Sequence, residues 1–290
     1  MNRLIYSHLA LILANAIYAI NYILAKDVMP LYVSPKAFIL IRVFGAGIIF
    51  FIIHFSFIKE KLASKDLMYL CLCALFGIVV NMLCFFEGLN LTTPINASLI
   101  MISTPVIVYV ISLFFLKEHF TTKSLFGVMC GLLGASLLIT NGNFRFSINN
   151  LGDFLVFINA TSYAVYLILI KSMMVKYHPI TVLKTVFIIG LLILLPITWS
   201  DFTQINFSII PMNIYLKILY VVLFTTCGAY FLNIYAISNL KASSVAFYIY
   251  LQPLLATIIS IIFGKDILTV IKLFSAILIF TGVYFVIKRH

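Results

Sequence analysis

Residues 101–126 read MISTPVIVYVISLFFLKEHFTTKSLF, and a stretch in the same register follows 148 residues later, at 249–274, as IYLQPLLATIISIIFGKDILTVIKLF. The two stretches share a proline, a basic residue followed by an acidic one, a threonine and a Leu-Phe pair. The matches are Pro105 with Pro253, Lys117-Glu118 with Lys265-Asp266, Thr121 with Thr269, and Leu125-Phe126 with Leu273-Phe274. Apolar composition alone does not repeat these residue types without a gap, so we predict an internal repeat.

The composition is that of a membrane protein. Of the 290 residues, 64% are apolar and 9% are charged, whereas soluble domains have roughly 45–50% apolar and about 25% charged residues. The five cysteines all fall in apolar stretches without metal-ligand spacing, so we interpret them as small buried hydrophobes. The net charge of +11 comes from basic residues scattered between apolar runs. We therefore predict no nucleic-acid partner, no metal and no cofactor.

Apolar runs separated by Pro, Gly, Asn and charged residues predict ten transmembrane helices, because about 20 apolar residues cross a bilayer. The predicted ranges are 4–25, 36–58, 67–87, 95–116, 122–140, 153–173, 180–199, 214–237, 242–263 and 268–287. Every connection between them is short. The sequence therefore predicts an all-α membrane protein whose function lies within the bilayer.

The distribution of Lys and Arg predicts the orientation, since both residues are enriched in cytoplasmic loops. With the N-terminus inside, 12 of them fall on cytoplasmic segments and 6 on outer segments, and Arg42 lies within a helix. We predict a multi-pass protein of the cell inner membrane with both termini cytoplasmic, acting as a monomer or a weak homodimer.

The repeat divides the chain into two five-helix halves, residues 1–141 and 150–290. A second offset, of 145 residues, pairs Tyr18-Ala19 with Tyr163-Ala164 and Lys26 with Lys171 in the first helix of each half. Because five is an odd number, the second half enters the membrane from the opposite side. The predicted fold is therefore two inverted five-helix repeats, an arrangement suited to alternating access about a site near the bilayer midplane.

These segments resemble a known family. The stretch from Gly88 to Gly134 resembles the first EamA repeat of the drug/metabolite transporter superfamily, and the stretch from Ala236 to Gly282 resembles the second. Arg42 and the small-aromatic first helices of both halves belong to the same resemblance. It implies ten helices, cytoplasmic termini and a central cavity. Activities in the superfamily include export of amino acids and other metabolites, drug efflux, and exchange of nucleotide sugars or sugar phosphates. The chain lacks the paired Lys and Arg on late helices that would suit a phosphate.

Polar side chains inside predicted helices indicate where the interior lies, because a polar group in hydrocarbon needs a partner or a water-filled cavity. Several follow helical spacing, such as Asn159, Ser162, Tyr163 and Tyr166. The predicted substrate-binding residues are Asn15, Tyr18, Tyr22, Asn81, Ser103, Asn159, Ser162, Tyr163, Tyr166, Thr226, Tyr230, Asn233, Tyr248 and Gln252. Tyr rings and amides suit a small amphipathic solute. The alternative is interhelical hydrogen bonding and an interfacial Tyr belt.

Four further residues are predicted to act in gating or structure. Arg42 and Glu87 fall at similar depths, so we predict an ion pair between them; the alternative is that Arg42 extends to the headgroups and Glu87 lies in water. Pro105 and Pro253 are expected to kink their helices at equivalent places. The alternative for the prolines is simple packing curvature.

The predicted function is secondary transport of a small metabolite, amino acid-like or otherwise amphipathic, by facilitation or exchange. Proton-coupled drug or metabolite efflux is the alternative mechanism. A membrane-embedded enzyme is the alternative of another class, but no His, Asp, Glu or Cys set stands at catalytic spacing within a helix. A channel is a further alternative, but it would need rings of carbonyls or charges and usually oligomeric symmetry. A structural subunit is another, and it would not explain an inverted repeat. The predicted partners are the bilayer and a small-molecule substrate.

Overall fold

The computed structural model describes residues 2–116, 121–142, 151–262 and 267–287. Within these ranges all regular secondary structure is helical, with no strand. The Lys117-Glu118 and Lys265-Asp266 turns lie outside the described residues, as does Arg145.

Ten helices make up the described chain, and their bounds lie within a few residues of the predicted ones. They are α1 (Arg3–Val28), α2 (Pro35–Ile58), α3 (Ser64–Leu91), α4 (Pro94–Phe115), α5 (Thr122–Thr140), α6 (Leu151–Met173), α7 (Pro179–Thr203), α8 (Met212–Asn239), α9 (Ala242–Ile259) and α10 (Val270–Ile287). The first nine are long and apolar enough to span a bilayer, and α10 is a shorter apolar helix. The chain is thus an all-α, multi-pass membrane protein.

Local sequence sets several helix starts. Ser34, Thr93 and His178 each precede a proline that opens a helix, and the side chain of each accepts a hydrogen bond from a backbone amide of the first turn. Proline is suited to the first helical position because the amide it lacks would have no partner there. These short Ser/Thr/His-Pro motifs therefore end the loops before α2, α4 and α7.

The outer surface is apolar. Phe57, Phe114 and Ile262 are 79%, 76% and 75% exposed. Asn15, Asn159 and Asn233, in contrast, are buried. This is the distribution expected when hydrocarbon rather than water surrounds the helices.

The contacts between helices follow the same pattern in both halves of the chain. If each helix is replaced by the helix five places further along, pairs that are in contact correspond to pairs that are also in contact. The extensive α2–α7 and α5–α10 contacts map onto themselves under this exchange. The α3–α6 contact maps onto α8–α1, and α4–α6 maps onto α9–α1. The packing therefore has the two-repeat pattern expected from the internal sequence repeat.

Two lysines occupy equivalent places in this pattern. The Lys26 ammonium donates to the Asn90 carbonyl at the end of α3, at 3.3 Å. Lys171 donates to the Ile237 and Leu240 carbonyls at the end of α8, both at 2.7 Å. A lysine suits this position because the last carbonyls of a helix have no amide partner within it.

Glycines allow a close contact between α5 and α10. A Cβ on Gly127 would lie 2.9 Å from the Gly282 carbonyl oxygen, and a Cβ on Gly282 would lie 2.6 Å from that of Gly127. Only residues without a side chain fit at this spacing, as at small-residue contacts between membrane helices generally.

Irregular turns occur at equivalent places in the two halves. α3 contains a π-helical segment, Leu75–Val79, and α8 contains another, Val221–Gly228. α4 is interrupted at Ile102 and Ser103, just before Pro105. α9 has a 3-10 turn at Tyr248–Tyr250, just before Pro253. The predicted kinks thus coincide with interruptions of both proline-containing helices.

Candidate functional site

A cavity lies at the centre of the helix bundle. It contains about 710 Å³ of empty space, including its mouth, and α1, α2, α3, α4, α6, α8 and α9 all contribute to its wall. Side chains from both halves of the chain therefore meet around one space inside the bundle.

Most of the predicted binding residues line this cavity. They are Asn15, Tyr18, Tyr22, Asn81, Asn159, Tyr163, Tyr230, Asn233 and Gln252, and Arg42 joins them. Several are oriented by hydrogen bonds: Gln252 Nε2 donates to Asn15 Oδ1 at 2.9 Å, and Asn233 Nδ2 donates to the Ala229 carbonyl at 2.9 Å. These hydrogen bonds hold polar groups of the wall in fixed orientations.

Three predicted residues lie outside the lining, and the hydroxyl group of each donates to a backbone carbonyl. Ser103 Oγ donates to the Ile100 carbonyl at 2.7 Å, in the interrupted part of α4. Ser162 Oγ donates to the Phe76 carbonyl at 2.7 Å, in the π-helical segment of α3. Thr226 Oγ1 donates to the Val221 carbonyl at 2.8 Å, and the neighbouring Thr225 lines the cavity instead. A π turn is wider than an α turn, so it changes which residue of α8 faces inward.

Two predicted tyrosines also lie outside the lining. The ring of Tyr166 fills the space over Gly77, where any Cβ would overlap it. The Tyr248 hydroxyl group is hydrogen bonded to His8 Nδ1 at 2.7 Å. These two side chains pack helices together beside the cavity.

Arg42 does not form the predicted ion pair with Glu87. Its Nε donates to Thr226 Oγ1 at 2.9 Å, and its Cζ lies 4.4 Å from the centroid of the Phe86 ring. Because Phe86 and Glu87 are consecutive on a helix, they face different directions, and Arg42 packs on the Phe86 side. The ion pairs among the described residues are Lys176 with Asp66 and Lys217 with Asp27. In the loop after α6, the hydrogen bond to Asp66 raises the pKa of Lys176.

The two proline interruptions reach the cavity wall. Proline has no amide hydrogen, so Pro105 and Pro253 cannot donate to the carbonyls of Met101 and Ile249, four residues earlier. Met101 and Ile249 both line the cavity. Pro105 itself is buried in α4 and absent from the lining, whereas Pro253 lines a second cavity.

This second cavity, the vestibule, adjoins the central one. It contains about 1140 Å³ of empty space, including its opening to the surroundings, and shares Tyr22, Met101, Ile249 and Gln252 with the central cavity. Its other lining residues include Pro94, Asn141 and Lys272, at ends of α4, α5 and α10. The vestibule therefore leads from the central cavity towards one end of the bundle.

At the other end, α1 and α9 are held together. Asn15 bonds to Gln252, and one to two turns nearer the start of α1, His8 bonds to Tyr248. No residue before Asn15 on the described part of α1 lines the central cavity. Two hydrogen bonds thus join α1 and α9 on the side of the cavity away from the vestibule.

Several lining residues had not been predicted as binding residues. They include Asn21, Met82, Phe85, Phe86, Met101, Thr225, Val245 and Ile249. Asn21 is next to the predicted Tyr22 and could have been found from its polarity within an apolar run. The apolar members carry no signal of this kind, because Met and Phe are common on every buried helix face. Within the described chain, no group of three His, Cys, Asp or Glu side chains is placed to hold a metal ion.

Comparison with known proteins places this architecture among transporters. Residues 5–140 match the EamA-like transporter family, and residues 150–288 match it again. The uncharacterized transporter YyaM of Bacillus subtilis is 27% identical over 229 residues, which cover 78% of this chain and 74% of that protein. An uncharacterized transporter of Archaeoglobus fulgidus is 28% identical, with 68% of each chain covered.

A solved crystal structure has the same fold. It superposes on 99% of this chain and 97% of its own chain with a TM-score of 0.77, at 15% sequence identity. Similarity at this level of identity concerns the fold alone. The two family matches together span nearly the whole chain and agree with the ten-helix bundle and its central cavity. The chain belongs to the EamA-like transporter family and is a transporter, not an enzyme.

Proposed function

We propose that this protein is a secondary transporter that moves a small metabolite across the cell inner membrane through the central cavity. The observation that carries the proposal is the cavity itself, a space within an apolar bundle that is lined by amides, phenols, Arg42 and apolar side chains. A purely structural membrane subunit has no need of such a chamber, because buried polar groups are costly in hydrocarbon. The residues that line it are the proposed substrate site.

The proposed mechanism is alternating access by two inverted halves, residues 1–141 and 150–290, with both termini cytoplasmic. Support comes from the packing pattern that survives exchange of the halves and from the family match to each half. The open vestibule at one end and the bonded α1–α9 contact at the other suit one of the two access states. Exchange of roles between the halves would produce the opposite state.

Facilitation or exchange is the proposed mode of transport, with the protein acting as a monomer or a weak homodimer. Proton-coupled efflux is the second candidate. It needs a group that changes its protonation state during the cycle, and the described lining of the central cavity includes no Asp, Glu or His. That observation favours facilitation or exchange. Glu87 lies outside the lining, so we assign it no role in coupling.

Transport by purified protein in proteoliposomes tests the proposal. Uptake and counterflow are measured for amino acids, nucleosides, cofactors and hydrophobic amines, with and without a pH gradient. We expect flux of at least one solute class, and we expect Asn159→Trp to abolish it because the indole fills the cavity. Phe157→Trp is the matched control, since Phe157 is 49% exposed on the outer face of the same helix. Absence of flux for every class, or equal flux in both variants, would contradict the proposal.

A further inference from the structure

The central cavity has an uncompensated positive charge. Arg42 is the one charged residue in its described lining, and the other members are amides, phenols, a threonine and apolar side chains. Arg42 is only 3% exposed. A charge buried this deeply is costly unless it is paired and hydrogen bonded.

The protein provides hydrogen-bond partners for only part of the Arg42 guanidinium group. Nε donates to Thr226 Oγ1, and the ring of Phe86 lies against the guanidinium plane. In the described chain, this is the only hydrogen bond from the group, and no carboxylate lies within ion-pair distance. An arginine has five N–H donors, so the two terminal nitrogens have hydrogen bonds left to make.

Two amide oxygens of the same lining also lack partners. Asn159 Oδ1 and Asn21 Oδ1 are buried, and no group in the described chain donates to either. The orientation of the Asn159 amide is set by its own hydrogen bond, because Nδ2 donates to the Asn81 carbonyl at 2.7 Å. The cavity thus combines unused donors on Arg42 with unused acceptors on two asparagines.

We infer that the transported solute is a small organic anion with one carboxylate, which Arg42 binds, and with an N–H or O–H group, which Asn21 and Asn159 accept. This inference rests on the proposed transport function and names the substrate class of that site. The guanidinium fork matches a carboxylate in bidentate geometry. Met82, Phe85 and Met101 provide an apolar wall for the body of the solute.

The same charge disfavours two other classes of solute. A hydrophobic amine would bring a second positive charge into a cavity with no described carboxylate to receive it. A phosphate ester carries close to two negative charges at neutral pH, and the described lining offers a single cation. A carboxylate monoanion balances the charge of Arg42 one to one.

Ligand-induced stabilisation of the purified full-length protein tests the inference. The probes are monoanionic carboxylates paired with their neutral amides: 2-hydroxyisocaproate, N-acetylleucine and pyroglutamate, each with its amide. Leucinamide and isoamylamine are the cationic analogues. We expect at least one carboxylate to raise the melting temperature in a concentration-dependent way, and its partner to have no comparable effect. Stabilisation by amines or amides alone, or by no probe, would overturn the inference.

Variants locate the binding group. Arg42→Gln should weaken carboxylate binding by roughly 30-fold or more, and Arg42→Lys by less, because lysine keeps the charge and loses the fork. Lys184→Gln is the control: it removes a positive charge from α7, the equivalent of α2, outside the cavity lining. Equal loss in Arg42→Gln and Lys184→Gln would overturn the assignment.

If the Arg42 variants fail to fold, the variant Asn21→Asp tests the same inference. Asn21 Oδ1 has no hydrogen-bond partner within the described chain, and aspartate has nearly the same shape. The added carboxylate should compete for Arg42, lower carboxylate binding and admit amines. Unchanged selectivity would contradict the inference. If proteoliposomes instead transport a neutral or cationic solute and Asn159→Trp stops that flux, the transport proposal stands and the carboxylate inference falls.

Discussion

Arg42 shows how one buried side chain is positioned by a non-standard turn. Thr226 lies in the π-helical segment of α8, where its hydroxyl group donates to the Val221 carbonyl and accepts from Arg42. Both bonds are fully buried, so neither partner can turn to water instead. π-helical turns occur often at functional sites, and here the turn places a hydroxyl group against the one charge in the described cavity lining.

We expect Thr226→Val to destabilise the protein by about 1–3 kcal/mol, because the buried guanidinium loses a hydrogen-bond acceptor. Carboxylate binding should also weaken as Arg42 turns away from its present position. Chemical unfolding in detergent and the ligand-induced melting shift measure the two effects.

Thr198→Val is the matched control for that variant. Thr198 is equally buried on α7, and its hydroxyl group donates only to the Leu194 carbonyl, at 2.8 Å. That carbonyl has a helical partner as well, so we expect little change. Equal losses in the two variants would show that Thr226 does not position Arg42.

At the scale of elements, the α5–α10 contact depends on the absence of side chains. Gly127 and Gly282 face each other across the two helices, each close to the carbonyl oxygen of the other. Backbones at this distance gain van der Waals contact, which is a main source of helix association where lipid surrounds the protein. The 148-residue repeat offset aligns Gly282 with Gly134, whereas the glycine that Gly282 contacts is Gly127.

Gly282→Ala should lower stability by about 1–3 kcal/mol, because the methyl group would overlap the backbone of α5. Gly47→Ala is the control, since a Cβ on Gly47 meets no atom within 4 Å. Alanine favours the helix over glycine by up to about 1 kcal/mol, so this control should be neutral or stabilising. Unfolding midpoints of the two variants provide the comparison, and equal midpoints would contradict a tight α5–α10 contact.

For the whole molecule, the inverted arrangement of the halves makes a prediction about sidedness. Thr122 and Val270 begin α5 and α10, are both exposed and are separated by the 148-residue repeat offset. If the halves are inverted, these two positions lie on opposite sides of the membrane.

Cysteine labelling tests this prediction in a background where the five native cysteines are replaced. An impermeant maleimide added to intact cells should label Val270→Cys and should label Thr122→Cys only after permeabilisation. Labelling of both positions from one side would contradict inversion and, with it, alternating access by exchange of the halves. Substrate binding to Arg42 is tested independently of this result.

Much of the fold could be predicted from local composition. Hydrocarbon requires each spanning segment to satisfy its own backbone, so every apolar run of about 20 residues is a helix. The ten predicted ranges therefore lie close to the observed helices, and polar positions such as Asn15, Tyr163 and Gln252 do line the cavity. Their role in binding remains a prediction.

Which residues face the cavity, and which residue Arg42 contacts, depends on contacts between helices that are far apart in the sequence. The helical spacing used in the sequence analysis assumes regular α-helical turns, and on that basis it predicts that Thr226 lines the cavity. Because α8 contains a π-helical segment, Thr225 lines the cavity instead. Arg42 and Glu87 lie at similar depths in the membrane, and this similarity predicts an ion pair. The face of α3 that is turned towards Arg42 carries Phe86 instead. Depth along a helix can be counted from residue numbers, whereas the direction in which a side chain points depends on irregular turns and on neighbours more than 100 residues away, which no local pattern encodes.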